Sequence, residues 1–201
     1  MMKRYTARTV QDAINLACQD LGVMIEDLNY EVISETRTFF TKKAEIECYT
    51  VSMVQEYIEE YVRRFISEMG FEIETVSYLQ DGRIYCNINT SNNSILIGKG
   101  GVILRAFNLI ARQAVQNEFK KRFEISLDIN GYRETRYKKV SAMAKRLGKQ
   151  VLRTKIAVKL DPLPADERKV VHQTIADFNK HLKTESQGEG KDRFTTISYV
   201  D

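Results

Sequence analysis

The sequence has 201 residues, enough for one domain or for two to three small ones. With 43% hydrophobic and 29% charged residues it has the composition of a soluble globular protein, and no stretch is expected to reach the roughly 20 apolar residues of a membrane span. The net charge of +4 is uneven, at −2 for residues 1–50, −1 for 51–131 and +7 for 132–201. A basic last third is typical of a nucleic-acid-binding surface, although a solvated basic helix would look the same.

Cysteine and histidine usage excludes several site types. Cys18, Cys48 and Cys86 are far apart in apolar surroundings, which indicates buried reduced thiols. With His172 and His181 as the two histidines, we expect no metal site and no cofactor. The basic N-terminus is not followed by an apolar segment, so we expect no signal peptide and a cytoplasmic protein.

The first 50 residues predict a strand, a helix and two further strands. The helix signals are a Thr N-cap before its first residue and a glycine after its last. The connection between the last two strands is predicted at residues 36–43. In order, the elements are a strand at 3–8, a helix at 10–21 with Thr9 as N-cap and Gly22 as stop, and strands at 29–35 and 44–51.

Residues 51–131 predict the element order α-β-β-α-α-β. The elements are a helix at 51–69, strands at 71–80 and 84–90 around Asp81-Gly82, helices at 91–97 and 102–119, and a strand at 123–130. On the helix at 102–119 one apolar stripe is expected to face the core, with mostly polar positions on the far side. The stripe consists of Val102, Ala106, Leu109, Ile110, Gln113 and Ala114.

The loop between the last two of these helices carries three glycines and a lysine, in the run Ile97-Gly98-Lys99-Gly100-Gly101. A Walker A loop needs Ser or Thr after its lysine, and a dinucleotide fingerprint needs glycine at position 103, which is Ile. The spacing of Gly98 and Gly101 fits the Gly-x-x-Gly loop with which KH domains clamp a nucleic-acid backbone. The plain alternative is an ordinary helix–helix turn.

The element order, with the glycine loop between its second and third helices, resembles a type II KH domain. In such a loop Ile97 helps to seat a base and Lys99 places a positive charge near a phosphate. Arg105 follows one helical turn after the glycines and extends the contact. We therefore take residues 97–101 and Arg105 as candidate RNA-binding residues.

Residues 132–201 predict a basic helix at 132–153, a strand at 156–160, a proline turn, a second helix and two short strands at 181–185 and 193–199. Arg168 and His172 lie four residues apart, on one face of the second helix. They are either a structural pair or a binding pair, in which Arg168 contacts a phosphate and His172 a base. Arg193 supplies a further charge.

Arg168-x-x-x-His172, the proline turn before it and the run Ser186-Gln187-Gly188-Glu189-Gly190 after it resemble an R-three-H domain. Taken together, the chain resembles the bacterial Jag proteins, also called SpoIIIJ-associated or KhpB/EloR-like proteins. The resemblance implies an α+β protein of three small domains: a Jag N-terminal domain at 1–50, a type II KH domain at 51–131 and an R-three-H domain at 132–201.

The same resemblance implies a regulator that binds single-stranded RNA, or single-stranded DNA, and acts in cell elongation and division. It also implies pairing with a second copy or with a small KH-domain protein, and recruitment to membrane-associated machinery. No nucleophile–base arrangement is readable, so we expect a binding protein and not an enzyme. The alternative is an assembly scaffold that pairs through its KH domain and binds RNA incidentally.

Overall fold

A computed structural model describes residues 1–38 and 42–201, which form a first compact unit over residues 1–130 and a second over 131–201. The predicted α+β class is confirmed. The first unit contains β1 (Lys3–Ala7), α1 (Val10–Leu21), β2 (Asn29–Arg37), β3 (Lys42–Tyr49), α2 (Val51–Glu68), β4 (Glu74–Gln80), β5 (Arg83–Asn89), α3 (Asn93–Ile97), α4 (Val102–Phe119) and β6 (Glu124–Ile129). The second contains α5 (Tyr132–Thr154), β7 (Val158–Lys159), α6 (Ala165–Phe178), β8 (Leu182–Gln187) and β9 (Phe194–Tyr199).

The N-terminal elements form an antiparallel sheet of order β1-β3-β2 with α1 packed on it. The backbone N–H of Asp12 donates to Thr9 Oγ1 at 3.1 Å, and Gly22 ends the helix in the left-handed conformation. β2 and β3 extend further into the predicted 36–43 connection than expected, and its central residues 39–41 lie outside the described part of the chain.

The middle elements follow the predicted order and form a sheet of order β4-β5-β6. β4 and β5 are an antiparallel hairpin, whereas β5 and β6 are parallel. The chain therefore crosses over through α3, the glycine loop and α4 before β6 joins the sheet. Ile84, Cys86 and Ile88 of β5 are buried as the alternation predicts. Burial raises the pKa of the Cys86 thiol to about 12, so this thiol is protonated and unreactive at neutral pH.

The prediction for the core-facing side of α4 is wrong. Leu109 is 69% exposed and Val102 is 54% exposed, so the predicted stripe faces solvent. The helix has a second apolar side, which packs towards β6 and α2 and also carries the buried Asn108. Asn108 Oδ1 accepts from the backbone N–H of Leu127 at 2.8 Å, which fixes this side against β6. The core-facing residues are Leu104, Phe107, Asn108, Ala111, Val115 and Phe119.

One segment, Asn93–Phe119, is long and apolar enough, by length and composition alone, to cross a membrane, contrary to the expectation from sequence. In the structure it is not one continuous helix, because Gly98 and Gly100 have positive φ angles between α3 and α4. Its apolar residues are divided between the core-facing and solvent-facing sides of α4. The hydropathy of the segment is accounted for by these two sides.

Within the first unit, the N-terminal sheet and the middle elements share a cluster of aromatic rings that we call the joint: Tyr49, Tyr57, Phe119 and Phe123. The buried ring of Phe119 lies 5.2 Å from that of Tyr49 and 5.5 Å from that of Tyr57, both edge-on. Beside it, Glu47 binds Lys120 at 2.9 Å and Arg4 at 3.0 Å, and these contacts lower the pKa of the Glu47 carboxyl. Residues 1–50 and 51–130 are thus packed together, while the division into three domains stays a prediction.

In the second unit, α5 and α6 pack on an antiparallel sheet of order β7-β9-β8. Gly148 lets α5 approach its neighbours closely, because a Cβ there would lie 3.0 Å from Ile175 Cδ1 and from Leu182 Cδ1. The two helices are also joined by an ion pair between Arg136 and the buried Glu167. Both carboxylate oxygens accept from the guanidinium, at 3.0 and 2.8 Å.

Candidate nucleic-acid interface

The glycine loop of the first unit has a backbone that only glycine adopts readily. Gly98 has φ 71° and ψ 174°, a region essentially confined to glycine. A Cβ on Gly98 would lie 2.6 Å from Ile103 Cγ1, so a side chain is excluded there by contact as well. At Gly100 the φ angle is 60° and the space around the missing side chain is open. The loop is therefore tightly closed at its base and accessible at its tip.

The side chains around the loop form a basic and apolar surface. Lys99 is exposed and Ile97 is half-buried. Arg105 Nη1 donates to the backbone carbonyl of Gly100 at 2.7 Å, so this arginine braces the loop from α4. Two exposed apolar side chains that the sequence analysis did not single out, Ile95 and Ile103, lie next to the glycines. The predicted residues 97–101 and Arg105 are thus brought together.

In the second unit, α6 presents the predicted Arg-x-x-x-His pair towards β8. Arg168 Nη1 donates to the carbonyl of Leu163 at 2.5 Å, which ties it to the proline turn before the helix. The His172 ring nitrogens lie 2.6 Å from Thr184 Oγ1 and 2.8 Å from Ser186 Oγ. Both nitrogens are therefore occupied within the protein, and a hydrogen bond from His172 to a ligand would have to displace one of these hydroxyls.

Arg193 interacts electrostatically with His172, as Arg168 does, and we call these three residues the Arg168 patch. The pKa of His172 is lowered first by burial and then by the positive charges of Arg168 and Arg193. The imidazole is therefore neutral at neutral pH, and the charge of the patch is carried by the two arginines. Phe194, next along β9, lies under the Lys159 ammonium at 3.7 Å from the ring centroid.

Thr184 and Ser186 are site residues that the sequence analysis missed. They lie two residues apart on β8, so their side chains are on the same face of the strand. The alternation of small hydroxyl residues there was the available signal, but nothing in the sequence pairs that strand face with position 172. Among the described residues, no group of three or more His, Cys, Asp and Glu side chains is placed to hold a metal ion.

We expect acidification to destabilise the second unit through His172. The pKa of the native imidazole is lower than in the unfolded chain, so as the pH falls below about 6.5 the unfolded state binds more protons and is favoured. Scanning calorimetry between pH 7.5 and pH 5 should show a smaller loss of Tm for His172→Gln than for the wild type. His181→Gln is the matched control for loss of an imidazole. An equal loss of Tm in wild type and His172→Gln would contradict this role.

Two family models match the sequence. That of the Jag N-terminus matches residues 5–49, and that of the R-three-H domain matches residues 138–199. A protein of Bacillus subtilis named RNA-binding protein KhpB is 28% identical over 98% of this chain and 99% of its own length. One of the same name from Clostridium symbiosum is 27% identical over 98% of this chain and 91% of its own length, and one from Lactiplantibacillus plantarum is 27% identical over 69% and 43%.

Proposed function

The chain belongs to the Jag family, and from this membership we propose that it is an RNA-binding regulatory protein. It holds single-stranded RNA at two sites, the glycine loop of the first unit and the Arg168 patch of the second. The main support for the proposal is the shape of the loop. A side chain at Gly98 would clash with Ile103, whereas the space at Gly100 is open, beside the exposed Lys99. The R-three-H match and the names of the relatives support the same ligand.

At the loop, the missing side chains let a sugar-phosphate backbone approach the protein backbone closely. Lys99 neutralises a phosphate, and the exposed Ile95 and Ile103 offer apolar surface to a base. Arg105 acts through the loop, because its guanidinium holds the Gly100 carbonyl and thereby the loop conformation.

At the second site, Arg168 and Arg193 contact phosphates. One N–H of Arg168 is held by the Leu163 carbonyl, and within residues 1–38 and 42–201 its other N–H groups are left to donate to an anion. His172 positions the patch by tying α6 to β8, and its ring can stack on a base without losing its hydrogen bonds to Thr184 and Ser186. We propose no catalytic reaction for the chain.

Linking two weak sites in one chain raises the overall affinity for a strand long enough to reach both. The finer parts of the proposal are that the protein works in the cytoplasm, that it takes part in the control of cell elongation and division, and that single-stranded DNA competes with RNA. Recruitment to membrane-associated machinery would then be through a partner protein. These parts rest on family likeness.

The loop assignment predicts that Lys99→Asp with Gly100→Asp abolishes RNA binding by the first unit. The double change reverses the charge of the loop and blocks its open tip. The fold is expected to persist, because a Cβ at Gly100 meets no atom within 4 Å and aspartate tolerates the left-handed conformation. The measurement is ultraviolet crosslinking of single-stranded RNA to the full chain, with mapping of the modified peptides.

The matched control is Arg122→Asp with Gln116→Asp, which makes the same change in net charge at exposed positions of the first unit. We expect crosslinks within residues 90–110 to be lost in the loop variant and kept in the control. Unchanged crosslinking within 90–110 in a folded loop variant would disprove the assignment.

A second candidate function, assembly through the KH-like region, is favoured by one observation. The solvent-facing side of α4 exposes Val102, Leu109 and Ile110, an apolar surface on a helix that is otherwise well packed. We propose that a second copy, or a small KH-domain protein, covers this side. RNA binding and assembly are compatible, because Leu109 and Ile110 lie about two helical turns beyond the glycine loop on α4.

Pairing through α4 predicts a dimer mass in light scattering at high micromolar concentration, and a monomer mass for Leu109→Lys with Ile110→Lys. The control is Val76→Lys with Leu79→Lys, which changes two exposed apolar residues of β4 in the same way. A monomer mass for the wild type, both alone and with a small KH-domain partner, would count against the assembly candidate.

A further inference from the structure

The positive charge of the second unit is concentrated on one helix. α5 carries eight basic residues and one acidic residue, whereas residues 155–201 carry eight of each. The whole net charge of +7 in residues 132–201 therefore belongs to α5. The part of the unit that contains the Arg-x-x-x-His pair is neutral as a whole.

Six of these cations lie on one exposed side of α5. At 100° per residue they fall within an arc of about 120°, and from the first to the last they extend along about 22 Å of helix. Residues 135–154 contain no acidic residue. We call this side the basic face; it consists of Lys138, Lys139, Lys145, Arg146, Lys149 and Arg153.

The basic face is largely unpaired. Lys138 binds Glu134, one turn earlier. Across residues 1–38 and 42–201, none of the other five cations has an acidic partner within 4.0 Å. Lys149 stands four residues after Lys145 and four before Arg153, and like charges at this spacing repel. An anionic ligand would relieve that repulsion.

Next to the basic face, an open groove of about 550 Å³ lies between α5 and α6. Lys145 stands on its rim, as does Lys138 with its ion-pair partner Glu134, and Ala142 and Val170 provide apolar walls. Ser141 and Thr174 share a hydroxyl–hydroxyl hydrogen bond of 3.1 Å within it. A groove with apolar walls, a few polar groups and cations at its rim suits a nucleobase whose phosphates lie on the rim.

The groove is separate from the Arg168 patch. Val170 precedes His172 by two residues on α6, which places their side chains about 160° apart around the helix axis. His172 is turned towards β8, whereas Val170 and Thr174 are turned towards α5. The two surfaces lie on different flanks of α6.

We propose that the basic face of α5 and the adjoining groove form a further RNA-binding surface, with phosphates on Lys145, Arg146 and Lys149 and an unstacked base between α5 and α6. This inference rests on the proposed function. A membrane surface is a poorer occupant, because the apolar side of α5 (Val140, Ala144, Val151) is buried in the core and cannot enter a bilayer. A groove with apolar walls at the edge of the face also favours RNA over an acidic protein, because a nucleobase can pack there.

The test is titration of a labelled single-stranded RNA with the full chain at several salt concentrations. Lys145→Glu with Lys149→Glu is compared with the charge-matched control Lys180→Glu with Lys183→Glu, both at exposed positions. Each phosphate contact on a single strand contributes about −0.7 to the slope of log affinity against log salt, so the α5 variant should flatten the slope by about 1.4. The control should leave the slope unchanged. Ala142→Trp, which fills the groove from an exposed position, should weaken binding several-fold at an unchanged slope.

Equal slopes for the α5 variant and its control would overturn the inference while leaving the proposed function intact. A wild type that binds no RNA would instead overturn the proposed function. Loss of binding to phosphatidylglycerol vesicles in the α5 variant, with RNA binding retained, would reassign the basic face to a membrane. Retained RNA binding with loss of polyglutamate binding would reassign it to an acidic protein.

Discussion

Phe119→Ala is expected to destabilise the first unit by about 3–5 kcal/mol, the usual cost of removing a buried phenylalanine ring. Phe119 is 2% exposed and its ring contacts those of Tyr49, Tyr57 and Phe123 in the joint. Because Tyr49 belongs to the N-terminal sheet and Tyr57 to α2, the cavity would weaken both at once. Hydrogen exchange should show amides of β3 and of α2 losing protection together.

The control is Phe65→Ala, since this ring is already 38% exposed and stacks on Phe107 away from the N-terminal sheet. Phe65→Ala should lower the free energy of unfolding by less than half as much as Phe119→Ala, and it should leave the amide protection of β3 unchanged. If Phe119→Ala lowers protection in α2 while β3 keeps its own, the two segments are energetically independent. That result would favour separate domains at 1–50 and 51–131.

Arg136→Ala is expected to destabilise the second unit by about 3–5 kcal/mol, because it leaves the buried Glu167 carboxylate without its partner. The free energy of unfolding of a native domain is only about 5–15 kcal/mol, so the variant should be close to unfolding at 37 °C. Calorimetry of the full chain should show the transition of residues 131–201 moving to much lower temperature. The transition of the first unit should stay in place.

The diagnostic comparison is the double variant Arg136→Met with Glu167→Leu, which replaces the ion pair by apolar side chains of similar size. We expect it to be far more stable than Arg136→Ala, since it leaves no unpaired buried charge. Arg136→Lys should be intermediate, because lysine cannot form the two-pronged contact. A double variant as unstable as Arg136→Ala would show that the contacts of the arginine stem, and not the charge, stabilise the pair.

Most of the fold can be predicted from local sequence signals. The Thr9 cap, the Gly22 stop and the Asp81-Gly82 turn act between neighbouring residues, so the sequence contains both partners of each interaction. The core-facing side of α4 depends instead on a distant partner. Its two sides are both apolar, and the buried one includes Asn108, whose hydrogen bond to the Leu127 backbone cannot be read from the helix alone. Periodicity counts such a residue as solvent-facing and so selects the other side.

In the candidate site, too, local features can be predicted from the sequence and contacts between distant residues cannot. The glycine loop can be located from its own spacing, because the glycines that adopt positive φ angles, Gly98, Gly100 and Gly101, all lie within four residues. The structural roles of Arg105 and His172 cannot be predicted from spacing, because they depend on contacts with the Gly100 carbonyl and with hydroxyls of β8. The basic α5 was expected from composition, but its unpaired face and the groove beside it require the packing of α6.

The joint also sets an order of events while the chain is being made. The strands of the N-terminal sheet can pair once residue 49 has left the ribosome, but Phe119 and Lys120 follow about 70 residues later. At about 5–20 residues per second this delay is roughly 4–14 seconds. During this delay the Tyr49 ring lacks its contact with the Phe119 ring, and the Glu47 carboxylate lacks its ion pair with Lys120. A chain truncated before residue 119 keeps that surface uncovered permanently, and we expect it to be prone to aggregation for that reason.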